Sequence, residues 1–279
     1  MNLSRPLESP PDKGEPWQLQ MFRRTLKKQQ KLQAMLAILG DVHGQHCLLV
    51  TCGDNNGALN WHFKRHGGHW TWADAEQASI TQIRDLTGDP VVAMDKEQPS
   101  LPLADDTFDV AVTIDVHEHL QRPERLNQEL ARLVKPGGRI IVTTPSSDEG
   151  KPANRVKRLL GMRAEDYGHV VVGYNVPELE QQLRAVGLQP YASGSYSRFF
   201  TEMVELLINF AYVKILSGRS RAKVASGQIA PQTEAQLKSV AKSYRLYSLI
   251  YPFMLALSKL DFLDRSSHGY AVIVAARRA

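Results

Sequence analysis

The chain has 279 residues, 43% of them hydrophobic and 23% charged, close to the globular averages of about 45–50% and about 25%. Intrinsic disorder, a collagen-like chain and a disulfide scaffold are excluded, and the length allows two domains or one domain with a large insertion. Thirty-four Lys and Arg against 29 acids leave a net charge of +5 and a pI near 9.1, a balance that concerns solubility before any nucleic-acid or membrane partner.

Residues 1–16 are rich in proline and charge and lack the apolar segment of a secretory leader, so a disordered start is expected. Residues 17–39 carry Leu19, Phe22, Leu26, Leu32, Met35, Leu36 and Leu39 at roughly helical spacing, with Gly40 and Asp41 as a stop, and predict one helix. Residues 46–52 (HCLLVTC) read as a buried strand running into the glycine-punctuated turn GDNNG. Its two cysteines, Cys47 and Cys52, read as reduced thiols of a cytosolic protein. Helices are predicted at 58–66 and 75–86, and strands at 70–74, 90–95 and 108–114. Residues 122–134 form a helix with a proline in its first turn, closed by KPGG and followed by a strand at 139–144.

Strands alternating with helices at this pace mean an α/β fold with a mostly parallel sheet covered on both faces. Such sheets bind ligands beyond the carboxyl ends of their strands, which directs attention to residues 53–57, Asp74, Asp95 and Asp115. Beyond Pro145 the pattern loosens to a capped helix at 175–186, strands at 188–197 and 269–277, and a segment of helical character between them.

The run Leu49-Val50-Thr51-Cys52-Gly53-Asp54-Asn55 resembles the first motif of the class I S-adenosylmethionine (SAM)-dependent methyltransferases. The run LPLADDTFDVAVTIDVHEHLQRPERLNQELARLVKPGGRIIVTTP, from 101 to 145, is similar to their type 11 subfamily, which includes quinone-biosynthesis C-methyltransferases. The elements LPxxDxxFD, xEHL and ELxRxxKPGG and the closing strand fall in order at the spacings of that subfamily. The similarity covers about residues 45–188 and the final strand. It implies a Rossmann-like class I sheet, mostly parallel with an antiparallel last strand, and a helical insertion before that strand. The organisation implied is a lid helix at 17–40, a SAM-binding core at 41–197 and 269–279, and an insertion or substrate cap at 198–268.

The resemblance also implies SAM as cofactor, with Thr51, Gly53, Asn55 and Gly57 forming the turn beside it. Asp74, about 20 residues past the turn, would accept both ribose hydroxyls. Asp95 would take the adenine amine, and Asp115 would face the methionyl end or the substrate. Three positions depart from the pattern. Leu49 stands where the family has an acid, and Thr51 and Asn55 replace the first and third glycines. Asparagine tolerates a left-handed backbone, so the turn is expected to survive at Asn55, while Thr51 suits a strand. His117, Glu118 and His119 are sequence neighbours that point to different faces and lack the spacing of HExxH, so no metal is expected. His169 and Tyr174, in GHVVVGYN, resemble a family loop over the acceptor. His119 or His169 is the expected general base, with Tyr174 as a further catalytic candidate.

The function implied is methyl transfer from SAM to a small-molecule, lipid-linked or sugar-linked acceptor. A nucleic-acid partner is not expected: Asp115-Val116-His117-Glu118 stands where nucleic-acid methyltransferases carry Asn/Asp-Pro-Pro-aromatic. That class, and a non-catalytic binding protein on the same scaffold, remain the rivals. The segment 198–268 holds ten Lys and Arg against five acids, an excess equal to that of the whole chain, beside many Phe and Tyr. Apolar, aromatic and basic residues together suit an interfacial helix, and Pro252 is expected to kink or interrupt it. The segment reads either as a cap on the sheet domain or on a second copy in a homodimer, or as a lid that touches anionic membrane. The matching location is cytoplasmic, free or peripheral at the inner face of the membrane.

Overall fold

The computed structural model describes residues 14–161, 168–210, 238, 241–266 and 268–279. The expected disordered start lies almost wholly outside the described residues, as does the middle of the insertion. Two helices, α1 (Trp17–Phe22) and α2 (Leu26–Leu39), stand where the spacing predicts one. The break has a local cause. Thr25 is extended (φ −111°, ψ 91°), its hydroxyl donates to Met21 O at 3.0 Å, and the Gln29 amide donates to the Phe22 and Arg23 carbonyls at 3.2 and 2.9 Å. Side chains thus close the end of α1 where further helix would otherwise be needed.

The alternation then follows as β1 (His46–Thr51), α3 (Ala58–His66), β2 (His69–Asp74), α4 (Gln77–Thr87), β3 (Val91–Ala93) and β4 (Phe108–Ile114). A 3-10 turn at His117–His119 leads to α5 (Pro123–Leu133) and β5 (Val134–Pro145). The KPGG run belongs to β5: Val134 already pairs with Phe108, and the register slips before Arg139 joins Val110. After it come α6 (Pro152–Leu159), absent from the sequence reading, then α7 (Val176–Ala185) and β6 (Leu188–Tyr196). The chain continues through α8 (Phe199–Phe210), α9 (Ala241–Ser258), a 3-10 stretch at Lys259–Leu263, and β7 (Ala271–Arg278). Pro252 lies inside α9, which continues through it rather than stopping.

The seven strands lie in the order β3-β2-β1-β4-β5-β7-β6, parallel up to β5, with β7 antiparallel to both β5 and β6. Side chains alternate across the sheet. Leu48 and Val50 face a core shared with Leu126, Leu130 and Leu133 of α5 and Leu179 and Leu183 of α7. Cys47 and Leu49 face the opposite core, with Leu32 and Met35 of α2, Phe63 of α3 and Ile83 of α4. Burying each such leucine contributes about 1.5–3 kcal/mol. Leu49 therefore works as core, fully buried where the family pattern has an acid. Strand order reverses between β1 and β4, which places the ligand crevice at their carboxyl ends.

The insertion is fastened at both ends. Asp261 accepts from the Phe200 and Thr201 N–H groups (2.8 and 3.1 Å) and the Thr201 hydroxyl (2.6 Å), and Asp264 accepts from the Phe199 N–H (3.1 Å). These carboxylates satisfy the open donors at the start of α8. Glu202 of α8, fully buried, pairs with Lys27 of α2 at 2.5 Å and Lys157 of α6 at 2.8 Å. Burial alone would raise its pKa, but the Lys157 and Lys27 ammonium groups more than reverse this and hold it ionised. Three elements distant in sequence share one buried charge.

Candidate active site

Gly53 (φ +81°), Asp54 (φ +43°) and Gly57 (φ +87°) turn the chain from β1 into α3. The left-handed non-glycine residue is Asp54, where the sequence reading expected Asn55. Asn55 has another task. Its amide donates to Thr51 Oγ1 (3.1 Å) and Asn60 Oδ1 (2.9 Å), and its oxygen accepts from the Gly57 N–H (2.9 Å). One Asp74 oxygen accepts from the Gly53 and Glu76 N–H groups at 3.0 and 2.8 Å, and the other from the Thr51 hydroxyl. Thr51, Asn55 and Asp74 are all buried, so the two departures from the glycine pattern brace the turn with side-chain hydrogen bonds. Burial pushes the Asp74 carboxyl up to about 6 against the opposing pull of those bonds. A Cβ on Gly57 would lie 3.0 Å from Gln82 O and 3.1 Å from Ile83 Cα, so this glycine serves the close packing of α3 on α4.

The carboxylate facing the open side of the turn is that of Glu76. A Cβ on Gly53 would lie 2.8 Å from Glu76 Cδ, so Glu76 lies across the bare glycine, paired with Lys96 at 2.6 Å. Asp95 is exposed just past β3 and accepts from the Glu97 N–H of its own turn at 2.8 Å.

Helix α2 roofs both sides of the switch point. Lys28 donates to Asp54 O at 3.2 Å and lies 3.6 Å from its carboxylate. Lys31, itself buried, pairs with Asp115 (φ +50°) at the end of β4. Burial would raise the Asp115 pKa, and the Lys31 ammonium, with Lys27 behind it, lowers it below the ordinary value. Its Oδ1 has no partner among the described residues.

The 3-10 turn after β4 splits its polar residues. His117 points into the core, its Nε2 2.8 Å from Asn127 Oδ1. Glu118 is fully buried, and neither carboxylate oxygen has a hydrogen-bond partner among the described residues. Burial first, then the Asp115 charge, raises its pKa well above the ordinary value. His119 Nδ1 lies 2.9 Å from Gly168 O, and its ring meets the His169 ring edge to face at a centroid distance of 4.8 Å. Burial lowers both imidazoles, His169 to about 4, so both are neutral near pH 7. Potential ligand atoms of Glu118, His119 and His169 all lie within 4.8 Å of one another. Sequence neighbours alone do not show this grouping, because the third group, His169, arrives on the loop after α6. Tyr174 goes elsewhere: its ring meets His117 edge-on at 6.5 Å and packs on the core under α5 and α7. The structure thus joins His119 and His169 and separates Tyr174 from them.

Residues without a signal in the sequence are Glu76, two positions past Asp74, and Lys28 and Lys31 of α2, whereas Glu118 stands out there only beside its neighbours His117 and His119. The crevice they frame fits SAM. Asp54, Glu76 and Asp115 are each countered by a lysine, Lys28, Lys96 and Lys31, which leaves Asp95 as the unbalanced charge of the four acids there, and carboxylates are strong acceptors for a ribose diol and an ammonium. Gly53 offers bare backbone, and the unpartnered Asp115 oxygen is a buried acceptor still to be used. A polar cleft of about 350 Å³ lies at the opposite end of the strands, beside Asp109, Lys135 and Arg139, where Asp109 is already paired with Lys135 at 2.7 Å.

Strand order, the antiparallel final strand and this crevice together define the Rossmann-like fold of class I methyltransferases. Within it, residues 48–142, about a third of the chain, match the methyltransferase domain family. An uncharacterized methyltransferase of Mycobacterium bovis is 39% identical over 58 residues, which is 21% of this chain and 23% of that protein. The chain thus matches under a quarter of that relative's length. A phthiotriol/phenolphthiotriol dimycocerosates methyltransferase 1 of Mycobacterium ulcerans is 27% identical over 119 residues, 42% of this chain and 41% of that one. Among solved structures, a SAM-dependent methyltransferase from Mesorhizobium loti is alike in fold, at 17% identity and a TM-score of 0.53, covering 88% of this chain and 96% of that one.

Proposed function

We propose that the chain transfers the methyl group of SAM to an apolar small-molecule or lipid-linked acceptor. The observation that carries this reading is the continuity of the acid-lined crevice with an apolar rim. Past Asp115 come Glu118, His119 and His169, and the residues after His169, Val170, Val171 and Val172, are 43%, 37% and 38% exposed. When bound, SAM supplies a methyl group already activated on its sulfonium. Glu76 and Asp95 would hold the ribose and adenine, Asp115 the methionyl ammonium, and Asp74 keeps the turn in shape beneath them. Helix α2, gripped through Asp54 and Asp115, excludes water from the crevice. The remaining work is to hold the acceptor in line and receive any proton it loses. Neutral His119 and His169 are in place to receive it.

The insertion supports an apolar acceptor in a second way. Leu249, Phe253, Phe262 and Leu263 are 79%, 73%, 75% and 55% exposed along α9 and the 3-10 stretch. Among the described residues no helix is long and apolar enough to cross a membrane, and apolar side chains on a basic segment suit peripheral contact with anionic lipid. The relative named for phthiotriol and phenolphthiotriol dimycocerosates supports the same reading. Pairing of two copies is the competing use of this face.

Calorimetric titration with SAM, followed by transfer of labelled methyl into fractionated cell extract, tests the proposal. Saturable binding and label in the organic fraction are expected. Label confined to RNA or to polar metabolites would move the acceptor to another class, and absence of SAM binding would reject methyl transfer altogether.

A further inference from the structure

We propose that Glu118, His119 and His169 form a binding site for a first-row divalent cation at the acceptor end of the crevice. Resting on the methyl-transfer reading, the site would take an acceptor that presents an oxygen nucleophile. Two imidazoles and one carboxyl group, deprotonated on binding, are a donor set for Mn²⁺, Fe²⁺, Co²⁺ or Zn²⁺. Around a tetrahedral ion with bonds of about 2.1 Å the donors stand about 3.4 Å apart. The donors here all lie within 4.8 Å of one another, so closure by about an ångström or somewhat more completes the set.

Three observations show that the cluster is built rather than accidental. First, the Glu118 carboxylate is fully buried without a hydrogen-bond partner among the described residues. The Thr144 hydroxyl and the Glu118 N–H lie near enough to act on it as weak donors, but neither reaches hydrogen-bond geometry, and Thr144 donates instead to the Pro145 carbonyl at 3.3 Å. Leaving a buried carboxyl without partners is costly unless something else satisfies it. Second, the Gly168 carbonyl, 2.9 Å from His119 Nδ1, fixes the tautomer so that Nε2 presents its lone pair, the arrangement in which a backbone carbonyl orients a metal-bound histidine. Third, the loop bearing His169 is pinned against the turn bearing Glu118. The Val170 and Val171 N–H groups donate to the Glu118 carbonyl at 2.7 and 3.3 Å. Gly173 (φ +147°) lets that loop lie on the end of β5, since a Cβ there would stand 2.1 Å from Pro145 O. Asp115 lies on the same turn, two residues before His117, and adds negative charge that favours a cation.

A cation here would act as a Lewis acid on a hydroxyl acceptor. With both imidazoles bound to the ion, the proton-accepting role passes from them to a base in solution. The O–H proton leaves to that base, the oxygen lone pair forms the bond to the methyl carbon, and the carbon–sulfur bond breaks with its electrons on sulfur. The balance needs no oxidant or reductant. An amine or carbon acceptor would gain less from such an ion.

The test uses the full chain freed of metal with EDTA and titrated with Mn²⁺ by paramagnetic resonance and with Co²⁺ by visible absorption, without SAM. Saturable binding of one ion per chain is expected, weakened at least tenfold by Glu118→Gln and by His169→Ala, with histidine nitrogen couplings in the bound spectrum. Circular dichroism and SAM titration of both variants establish that they are folded. Ions that bind wild type and both variants alike occupy surface histidines and overturn the site, as does a wild-type protein that takes up neither ion. SAM binding without a metal rejects this inference alone, and metal binding without SAM rejects the methyl-transfer reading alone.

Discussion

At the carboxyl ends of β1 and β2 the buried polar groups serve one another: Asp74 takes two backbone N–H groups and the Thr51 hydroxyl, and Asn55 ties Thr51 to Asn60. At the end of β4, on the same edge of the same sheet, Asp115 Oδ1 and both Glu118 oxygens have no partner among the described residues. A buried polar group left in that state costs about 1–3 kcal/mol. The first network leaves one group open, Asn60 Nδ2, and the second leaves three carboxyl oxygens. Under the proposed function, the first shapes the crevice and the second is the side that meets a ligand.

The largest effect should come from removing the brace. Asp74→Ala leaves the Gly53 and Glu76 N–H groups and the Thr51 hydroxyl without their acceptor, and urea unfolding should show a loss of about 3 kcal/mol or more. Glu76→Ala, on the open side of the same turn, should stay within about 0.5 kcal/mol of wild type, while SAM affinity falls about tenfold, or about 1.4 kcal/mol. An Asp74→Ala protein as stable as wild type, with SAM affinity alone reduced, would return Asp74 to the role of ribose acceptor.

A gain of stability is expected on the open side. Glu118→Met replaces a buried, unpartnered carboxyl by an apolar side chain of similar length, and the metal-free protein should become more stable by about 1–2 kcal/mol. A loss of the same size would show that the carboxyl is satisfied in the free protein.

The smallest effect concerns the roof above the braced corner. His62 of α3 packs on Phe22 of α1 with ring centroids 4.5 Å apart. Burial, and then the Arg23 and Arg65 charges, lower its pKa from 6.5 to about 4. Between those values the unfolded chain binds the proton and the folded chain does not, so this contribution is present above pH 6.5 and is lost as pH falls toward 4. For this half-buried ring the change between pH 7.5 and 5 should be about 1 kcal/mol. Unfolding of His62→Leu should lack that share of the pH dependence, and equal pH profiles for the two proteins would place the ring in water.

The strand-and-helix alternation up to β5 was legible because each element buries one face, and Leu48 with Val50 against Cys47 with Leu49 displays the period of two. Ordered motifs marked the crevice as well. What the sequence concealed depended on side chains meeting across the fold. Nothing near Thr51 announces that its hydroxyl will bond to Asp74, and the Gln29 amide that ends α1 is indistinguishable in sequence from the neighbouring Gln30. Helix α6 was missed because its residues are largely polar and basic, with Ala153 alone fully buried. The Glu118, His119 and His169 cluster escaped a search for ligand spacing because a loop, rather than a helical repeat, delivers the third group.

Strand β7 has a consequence for how the chain is made. It lies between β5 and β6 in the sheet, yet the ribosome must complete everything from Tyr196 to Ala271 before it emerges. At about 5–20 residues per second, that interval lasts roughly 4–15 s. Throughout it β5 and β6 each present an open row of N–H and C=O groups to any neighbouring nascent chain. Misassembly on polysomes should therefore concentrate late in translation, and slower elongation across the insertion should lower the soluble yield although no residue of the finished molecule has changed.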